Sequence, residues 1–174
     1  LMGTFSKALG TTGGYVTGSR DLIYYLRFYA NPGLFTASLP APLCAGVAEA
    51  FRILEEEPEH RERLWNNIRH FTTALQQAGF RTGGSQSPIV TIPVGSEKLL
   101  WTISCALFDR GLKCGNVAFP AVPRGEAILR LTVNARHTRE DLDQAVEILA
   151  SVGSFHGILG KRVEELEKGE QAHA

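Results

Sequence analysis

The spacing of apolar residues predicts a long amphipathic helix over 59–78. Its apolar positions recur with a period near 3.6 residues, while the charged residues fall on the other faces. These apolar positions are Leu64, Ile68, Phe71 and Leu75. Gly79 follows them and fits the glycine that commonly ends a helix.

Two further helices are predicted ahead of this one. Ser19 can cap a helix that continues to about Ala30, and the Asn-Pro-Gly sequence at 31–33 stops it. Pro40 and Pro42 stand near the start of the next helix, where a missing N–H group is tolerated. Helical spacing within that helix predicts one buried face, formed by Leu43, Val47, Phe51 and Leu54.

Short strands are predicted mainly in the second half of the chain. The segments that suit strands are 14–18, 87–94, 112–119 and 127–133. Pro88 and Pro93 place the second of these at an edge or an end of a sheet, because proline cannot donate to a neighbouring strand.

Helices separate these strands, which indicates an α+β domain around one small sheet. One helix is predicted from Ser96 to Gly111, and another after Thr138, where Asp141 completes a T-x-x-D pattern typical of a capping box. We therefore predict three parts. They are a first domain at 1–57, a small α+β domain at 58–153 and a polar tail at 154–174.

Composition limits the class of protein. The chain has 174 residues, enough for one good core or two small ones, and its 18 basic residues balance 18 acidic ones. Charge therefore gives no reason to expect a nucleic-acid or membrane partner, and no apolar run approaches a membrane span. Cys44, Cys105 and Cys114 lack metal-like spacing, as do the histidines. We expect mostly packed free thiols, no metal site and a cytoplasmic protein.

The segment GTFSKALGTTGGYVTGS, residues 3–19, holds the main candidate for chemistry. Lys7 lies there among small, hydroxyl and apolar residues, and the nearby glycines would let the backbone approach a bound group closely. Apolar neighbours would keep the amine partly desolvated, which favours its nucleophilic form. Such a lysine can form a Schiff base with a carbonyl cofactor. An ordinary exposed lysine in a glycine-rich loop is the alternative that these residues leave open.

This segment is the first of three motifs along the chain, and in it GTFSKALG is followed by GGYVTGS. The second motif is FTASLPAP at 35–42, and the third is FPAVPRGEAILRLTVNARHT at 119–138. In this order they resemble the α-oxoamine synthases, pyridoxal-phosphate (PLP) enzymes that include 8-amino-7-oxononanoate synthase. The resemblance reaches about residue 152.

The resemblance implies an α/β fold of the fold-type-I PLP transferases. Residues 1–57 would then be the last part of the large, cofactor-binding domain, and 58–153 the small C-terminal domain. In this family the lysine lies past the middle of a polypeptide about twice as long. We therefore expect these residues to be the C-terminal part of such an enzyme.

The resemblance also implies roles for individual residues. Lys7 would carry PLP, and the hydroxyl of Thr4 would bind its phosphate. Thr36 would contact the phosphate of the neighbouring subunit's cofactor, which implies a homodimer with shared active sites. Without the resemblance, Thr4 is a loop or helix-cap threonine and Thr36 a hydroxyl ahead of a helix.

Arg130 is a fourth candidate. It interrupts an apolar strand, where a buried charge is costly unless it is paired. A guanidinium there could bind a carboxylate through two parallel hydrogen bonds. Strand alternation also permits a solvated arginine on the open side of a half-buried strand. In the resembled family the matching arginine binds the carboxylate of the amino-acid substrate.

The reaction implied by the resemblance is a decarboxylating condensation. An amino acid would react with an acyl-CoA or acyl-ACP thioester to give an α-amino ketone. In this family the acidic partner of the cofactor's pyridine nitrogen and the group that stacks on its ring both precede the lysine. We therefore expect the 174 residues alone to bind PLP poorly and to turn over little. Another fold-type-I enzyme, either an aminotransferase or a lyase, and a non-catalytic remnant domain remain as alternatives.

Overall fold

The computed structural model describes residues 1–160. Within this range the chain divides into two compact units, Leu1–Pro58 and a second unit that begins at Glu59. The division lies one residue from the predicted boundary between 57 and 58. The polar residues predicted beyond Gly160 lie outside the described range. Among the described helices, none is long and apolar enough to cross a membrane.

The first unit contains a two-stranded ribbon followed by helices. Its elements are β1 (Met2–Thr4), β2 (Gly14–Val16), α1 (Arg20–Tyr29), α2 (Asn31–Phe35) and α3 (Ala41–Glu56). β1 and β2 pair antiparallel, with Thr4 opposite Gly14. The sequence predicted β2 but missed β1, because three residues are too few to show an alternating pattern.

The ends of α1 follow the predicted signals. The Ser19 side chain accepts a hydrogen bond from the backbone N–H of Leu22 at 3.3 Å, and the helix ends at Tyr29, directly before Asn-Pro-Gly. Those residues do more than stop α1, however. They begin the short helix α2, because proline fits the first turn of a helix, where its missing N–H costs nothing.

The predicted buried face of α3 is wrong for three of its four residues. Only Val47 is buried, whereas Phe51 and Leu54 remain 40% and 37% exposed. Helical spacing identified an apolar face correctly, but Phe5 and Val47 are the only buried apolar side chains of the first unit. That unit contains too little packed chain to cover α3.

The second unit is an α+β domain, as predicted. Its elements are α4 (Glu59–Gln77), β3 (Ile89–Gly95), α5 (Glu97–Phe108), β4 (Gly115–Val117), β5 (Ala127–Thr132) and α6 (Arg139–Phe155). The strands form an antiparallel sheet in the order β3-β5-β4, so the proline-containing strand β3 lies at an edge. β4 is shorter than the predicted 112–119, because only Gly115–Val117 pairs with β5.

One face of this sheet packs into a core, and the other face is open. Alternate residues of β3 and β5 point into the core, with Leu129 at the centre of the sheet fully buried. Helices supply the rest of the core, and on α4 three of the four predicted apolar positions are buried. The helical core residues are Ile68, Phe71, Leu75, Leu100, Ile103, Leu107, Leu142, Leu149 and Val152. The open face carries the side chains of the alternate positions, including Arg130.

Two smaller predictions need correction. The polar tail was expected to begin at 154, but α6 continues to Phe155 and Ile158 then packs into the core. The cysteines were expected to be mostly packed thiols. All three are free, but Cys44 and Cys105 are exposed, and only Cys114 is partly buried. Burial raises the pKa of the Cys114 thiol.

The predicted capping box at the start of α6 is confirmed, and it should make the stability of the second unit depend on pH. Thr138 accepts from the N–H of Asp141, and the Asp141 carboxylate accepts from the N–H of Thr138 at 2.9 Å. The hydrogen bond from Thr138 holds the pKa of Asp141 below its ordinary value. A carboxyl whose pKa is lowered on folding adds stability above its unfolded pKa, about 3.9, and loses it as pH falls through the folded pKa.

We therefore expect the second unit to lose stability as pH falls below about 4, and Asp141→Asn to weaken that dependence. Urea unfolding at several pH values, followed by tryptophan fluorescence, measures this, because Trp65 and Trp101 both belong to the second unit. The same acid-induced loss in Asp141→Asn and in the unmodified chain would contradict the prediction.

Candidate active site

The candidate lysine lies in a turn that the backbone of Phe5 holds in place. The N–H of Phe5 donates to the carbonyl of Gly13 at 2.9 Å, and the carbonyl of Phe5 accepts from the N–H of Thr11 at 3.0 Å. The carbonyl of Lys7 accepts from the N–H of Gly10 at 3.1 Å. The loop between β1 and β2 therefore has a defined conformation, with Lys7 near its tip.

Aromatic packing anchors this loop to the rest of the first unit. The Phe5 ring is buried and stacks on Tyr15, with ring centroids 5.6 Å apart. Tyr15 in turn meets the edge of Phe51 on α3 at 6.3 Å. Neither Phe5 nor Tyr15 was predicted from the sequence to position this loop. The signal was present, since both are aromatic residues within the glycine-rich segment that holds Lys7.

The glycines of this loop serve the hairpin more than a ligand, which corrects the sequence interpretation. A Cβ atom at Gly3 would lie 2.6 Å from the Tyr15 ring, and one at Gly14 would lie 2.7 Å from the carbonyl oxygen of Gly3. A Cβ atom at Gly13 would lie 2.8 Å from Leu39. Only Gly10 has open space around it, and its φ of +65° independently favours glycine.

Lys7 itself is exposed. The expected partial desolvation of its amine by apolar neighbours is therefore not found in the described chain, because Phe5 turns inward while Lys7 does not. The Lys7 side chain makes no hydrogen bond or ion pair with any residue in the described range. The amine is thus accessible to a reagent from outside the chain.

Two residues just before Lys7 in the same hairpin carry hydroxyl groups. The hydroxyl of Ser6 donates to that of Thr4 at 3.4 Å, and both residues are exposed. Thr4, Ser6 and Lys7 are thus three exposed polar residues of one hairpin, an amine that can react with an aldehyde and two hydroxyls that can donate to a phosphate. The residues present therefore fit PLP, with Lys7 as the group that would hold it covalently and Thr4 as a donor to its phosphate.

Thr36 does not join this group of residues by any contact within the first unit. It is the exposed C-cap residue of α2, with extended backbone angles, and no hydrogen bond links it to Thr4 or Lys7 in this fully described unit. The helix predicted after it begins only at Ala41. Its hydroxyl is free to meet another molecule.

Arg130 occupies the middle of β5, opposite Thr91 on β3 and Gly115 on β4. It is exposed on the open face of the sheet, so the expectation of a buried guanidinium is wrong and the solvated alternative is the observed geometry. A Cβ atom at Gly115 would lie 3.6 Å from the Arg130 Cβ atom. The missing side chain at Gly115 therefore leaves room beside the arginine stem. No carboxylate of the described residues pairs with Arg130.

These features define a class of protein: a mixed α and β chain whose glycine-rich hairpin presents an exposed lysine. Residues 1–149 match the family model described as aminotransferase class I and II, and the chain belongs to this family. The 8-amino-7-oxononanoate synthase of Symbiobacterium thermophilum is 44% identical over 158 residues, which cover 91% of this chain and 40% of the relative. The resemblance to the α-oxoamine synthases is thereby confirmed.

Another relative carries a different name. The 4-hydroxy-2,2'-bipyrrole-5-methanol synthase PigH of a Serratia species is 45% identical over 150 residues, which cover 86% of this chain and 23% of PigH. The chain therefore spans from about a quarter to two fifths of the length of these relatives.

Solved structures agree on the fold. A structure of SPT with a PLP internal aldimine has a TM-score of 0.84 and 33% identity, and the match covers 91% of this chain and 40% of that one. The structure of the serine palmitoyltransferase of Sphingomonas wittichii has a TM-score of 0.83 and 31% identity, with the same coverage of both chains. The 8-amino-7-oxononanoate synthase of Francisella tularensis, at 23% identity and a TM-score of 0.78, supports the fold alone. The fold class and the PLP dependence of the family are confirmed.

Proposed function

We propose that this chain is the C-terminal part of a PLP-dependent C-acyltransferase that condenses an amino acid with an acyl thioester and releases carbon dioxide. The observation that carries the proposal is the unpaired Lys7 amine on its fixed turn, in a chain 44% identical to an 8-amino-7-oxononanoate synthase. An exposed surface lysine without this context would carry no such inference.

The proposed roles follow from the chemistry of each side chain. Lys7 would hold the cofactor covalently through its aldehyde, and the Lys7 amine, when free, would take a proton from the α-carbon of the amino acid. Thr4 donates a hydrogen bond to the phosphate. PLP, when bound, would supply an electron-withdrawing ring for this chemistry. Arg130 binds and orients the amino-acid carboxylate through its planar guanidinium.

We also propose a cytoplasmic homodimer in which Thr36 reaches the partner's cofactor phosphate. Support comes from the first unit, where the α1 aromatic residues are exposed; they are Tyr24, Tyr25, Phe28 and Tyr29. Exposed apolar surface of this kind often marks a protein interface. Mixing an inactive Lys7→Ala subunit with a Thr36→Ala subunit tests the shared site. Recovery of activity in the mixture supports it, and two independently additive activities contradict it.

The reaction is tested by carbon dioxide release from the holoenzyme. Release that requires both an amino acid and an acyl thioester, with formation of an α-amino ketone, supports the proposal. Amino transfer to a keto acid without any thioester would instead assign an aminotransferase and refute the condensation.

The 174 residues alone are proposed to bind PLP weakly. In the resembled family the acidic partner of the pyridine nitrogen and the ring-stacking group precede the lysine, and these residues match only 40% of the Symbiobacterium relative. Titration of the purified chain with PLP, followed by its visible absorbance, measures this. Tight binding with rapid ketone formation by the isolated chain would show the proposal wrong.

Replacing Arg130 should weaken use of the amino acid more than use of the acyl thioester. A charge-assisted hydrogen bond contributes about 1.5–3 kcal/mol, so Arg130→Gln is expected to lower kcat/KM for the amino acid roughly 10- to 100-fold. Steady-state kinetics with each substrate varied in turn measures the change. Arg110→Gln is the matched control, because Arg110 donates to Ser151 and has no proposed role in the reaction. An equal loss of kcat/KM in both variants, or a loss only in kcat/KM for the thioester, would show that Arg130 does not bind the amino acid.

A further inference from the structure

A groove between α4 and α6 collects basic side chains that the proposed function does not use. It has a volume of about 470 Å³ and is lined by Asn66, Arg69, His70, Thr73 and Arg139. The first four lie on α4 at positions i, i+3, i+4 and i+7, which places them on one face of that helix. Arg139 is the first residue of α6. The groove therefore lies wholly within the second unit.

A chain of hydrogen bonds fixes the position of Arg139. The Nε2 atom of His70 lies 2.5 Å from Oδ1 of Asp143, and a guanidinium nitrogen of Arg139 lies 3.1 Å from Nδ1 of His70. Because a guanidinium can only donate, Nδ1 must accept, and the ring proton is then on Nε2. His70 therefore lies between the Arg139 guanidinium and the Asp143 carboxylate.

Neither arginine of the groove is neutralised by a carboxylate of the described residues. Arg69 donates to the side-chain oxygen of Asn66 at 2.6 Å, which is an uncharged partner. Arg139 donates to Nδ1 of the His70 imidazole rather than to a carboxylate. Each guanidinium has five N–H donors, so most of them remain available to a ligand. The groove therefore presents two positive charges and no negative one among its lining residues.

We propose that this groove binds a phosphate-type oxyanion, either inorganic phosphate or the phosphate group of a small organic ester. Two guanidinium groups at one concave site match the double negative charge of a phosphate, and their planar donors match its oxygens in pairs. Asn66 and Thr73 line the groove beside them and can donate further hydrogen bonds. A monocarboxylate carries half of that charge and should bind more weakly. The sequence missed this site because His70 shows no metal-ligand spacing and the arginines read as ordinary helix-surface charges.

Calorimetric titration of the full chain at low ionic strength tests the proposal with three probes: inorganic phosphate, adenosine monophosphate and acetate. We expect one saturable phosphate site, with acetate at least roughly tenfold weaker, since a monocarboxylate has fewer oxygens and less charge to pair with two guanidinium groups. Arg69→Gln and Arg139→Gln should each weaken phosphate binding by a similar factor. Tighter binding of adenosine monophosphate than of phosphate would assign an organic ester, and equal binding would assign the free anion.

Arg61→Gln is the matched control, because Arg61 lies on α4 and is exposed but does not line the groove. Phosphate held instead at the Thr4 and Lys7 loop would respond to neither groove substitution, so failure here leaves the proposed enzymatic function unaffected. An equal loss in Arg61→Gln, equal affinity for acetate, or no saturable binding would overturn the groove as a phosphate site.

Discussion

Replacing Lys7 by arginine in the holoenzyme is expected to abolish covalent retention of PLP and nearly all ketone formation. Arginine keeps the positive charge but has no amine that can bond to an aldehyde or take a proton at neutral pH. A positioned general base alone contributes about 10²–10⁴-fold, so the rate should fall by at least that factor. Borohydride reduction followed by mass spectrometry of the Lys7 peptide measures retention, and the coupled ketone assay measures rate.

The matched control for Lys7 is Lys98→Arg. Lys98 is an exposed lysine on α5, in the second unit, with no role in the proposed site. We expect it to leave both trapping and rate unchanged. If borohydride fixes PLP on Lys98, or if Lys7→Arg still retains PLP covalently, the assignment of Lys7 is wrong and the motif resemblance has misplaced the site.

Local signals in the sequence were sufficient for most helices. Ser19, Ser96 and Thr138 cap α1, α5 and α6 as predicted, because a hydroxyl that bonds to the N–H three residues on depends on nearby residues alone. The periodicity of α4 likewise predicted its buried residues, since enough of the second unit folds around that helix to cover its apolar face.

Burial that depends on distant chain could not be predicted in the same way. The apolar face of α3 has the same kind of spacing as that of α4, yet it stays largely exposed. The composition around Lys7 suggested desolvation, but side-chain direction decided otherwise, with Phe5 buried and Lys7 exposed. A single sequence shows the period of the apolar residues. Only the structure shows how much of the chain packs against the apolar face that they form.

The candidate site likewise has residues that the sequence could identify and contacts that only the fold creates. The motifs named Lys7, Thr4, Thr36 and Arg130, and the structure puts Thr4 and Lys7 on one hairpin. Alternation along β5 allowed the Arg130 side chain to point either into the core or to solvent. Because the helices pack on only one face of the sheet, Arg130 lies on the solvent-exposed face. His70 and Arg139 were not predicted as neighbours, because they lie 69 residues apart in the chain and meet only when α6 packs beside α4.

Because helices cover only one face of the sheet, substitutions on its two faces should differ most in their effect on stability. Leu129 and Ile128 are adjacent on β5 and point to opposite faces, so Leu129 is 0% exposed while Ile128 is only partly buried. Leu129→Ala removes buried apolar volume at the centre of the sheet and leaves a cavity. Such substitutions cost about 2–5 kcal/mol, which is a large share of the 5–15 kcal/mol that stabilises a typical domain.

Ile128→Ala is the matched control, because it removes a side chain of the same size from the same strand. We expect it to cost about half as much or less, since its side chain already contacts water in the described chain. Urea unfolding followed by the fluorescence of Trp65 and Trp101 reports on the second unit alone, which avoids mixing two units in one transition. Equal destabilisation by the two substitutions would mean that the Arg130 face is also buried against protein. Arg130 would then need a buried partner, and the solvated geometry of its face would have to be abandoned.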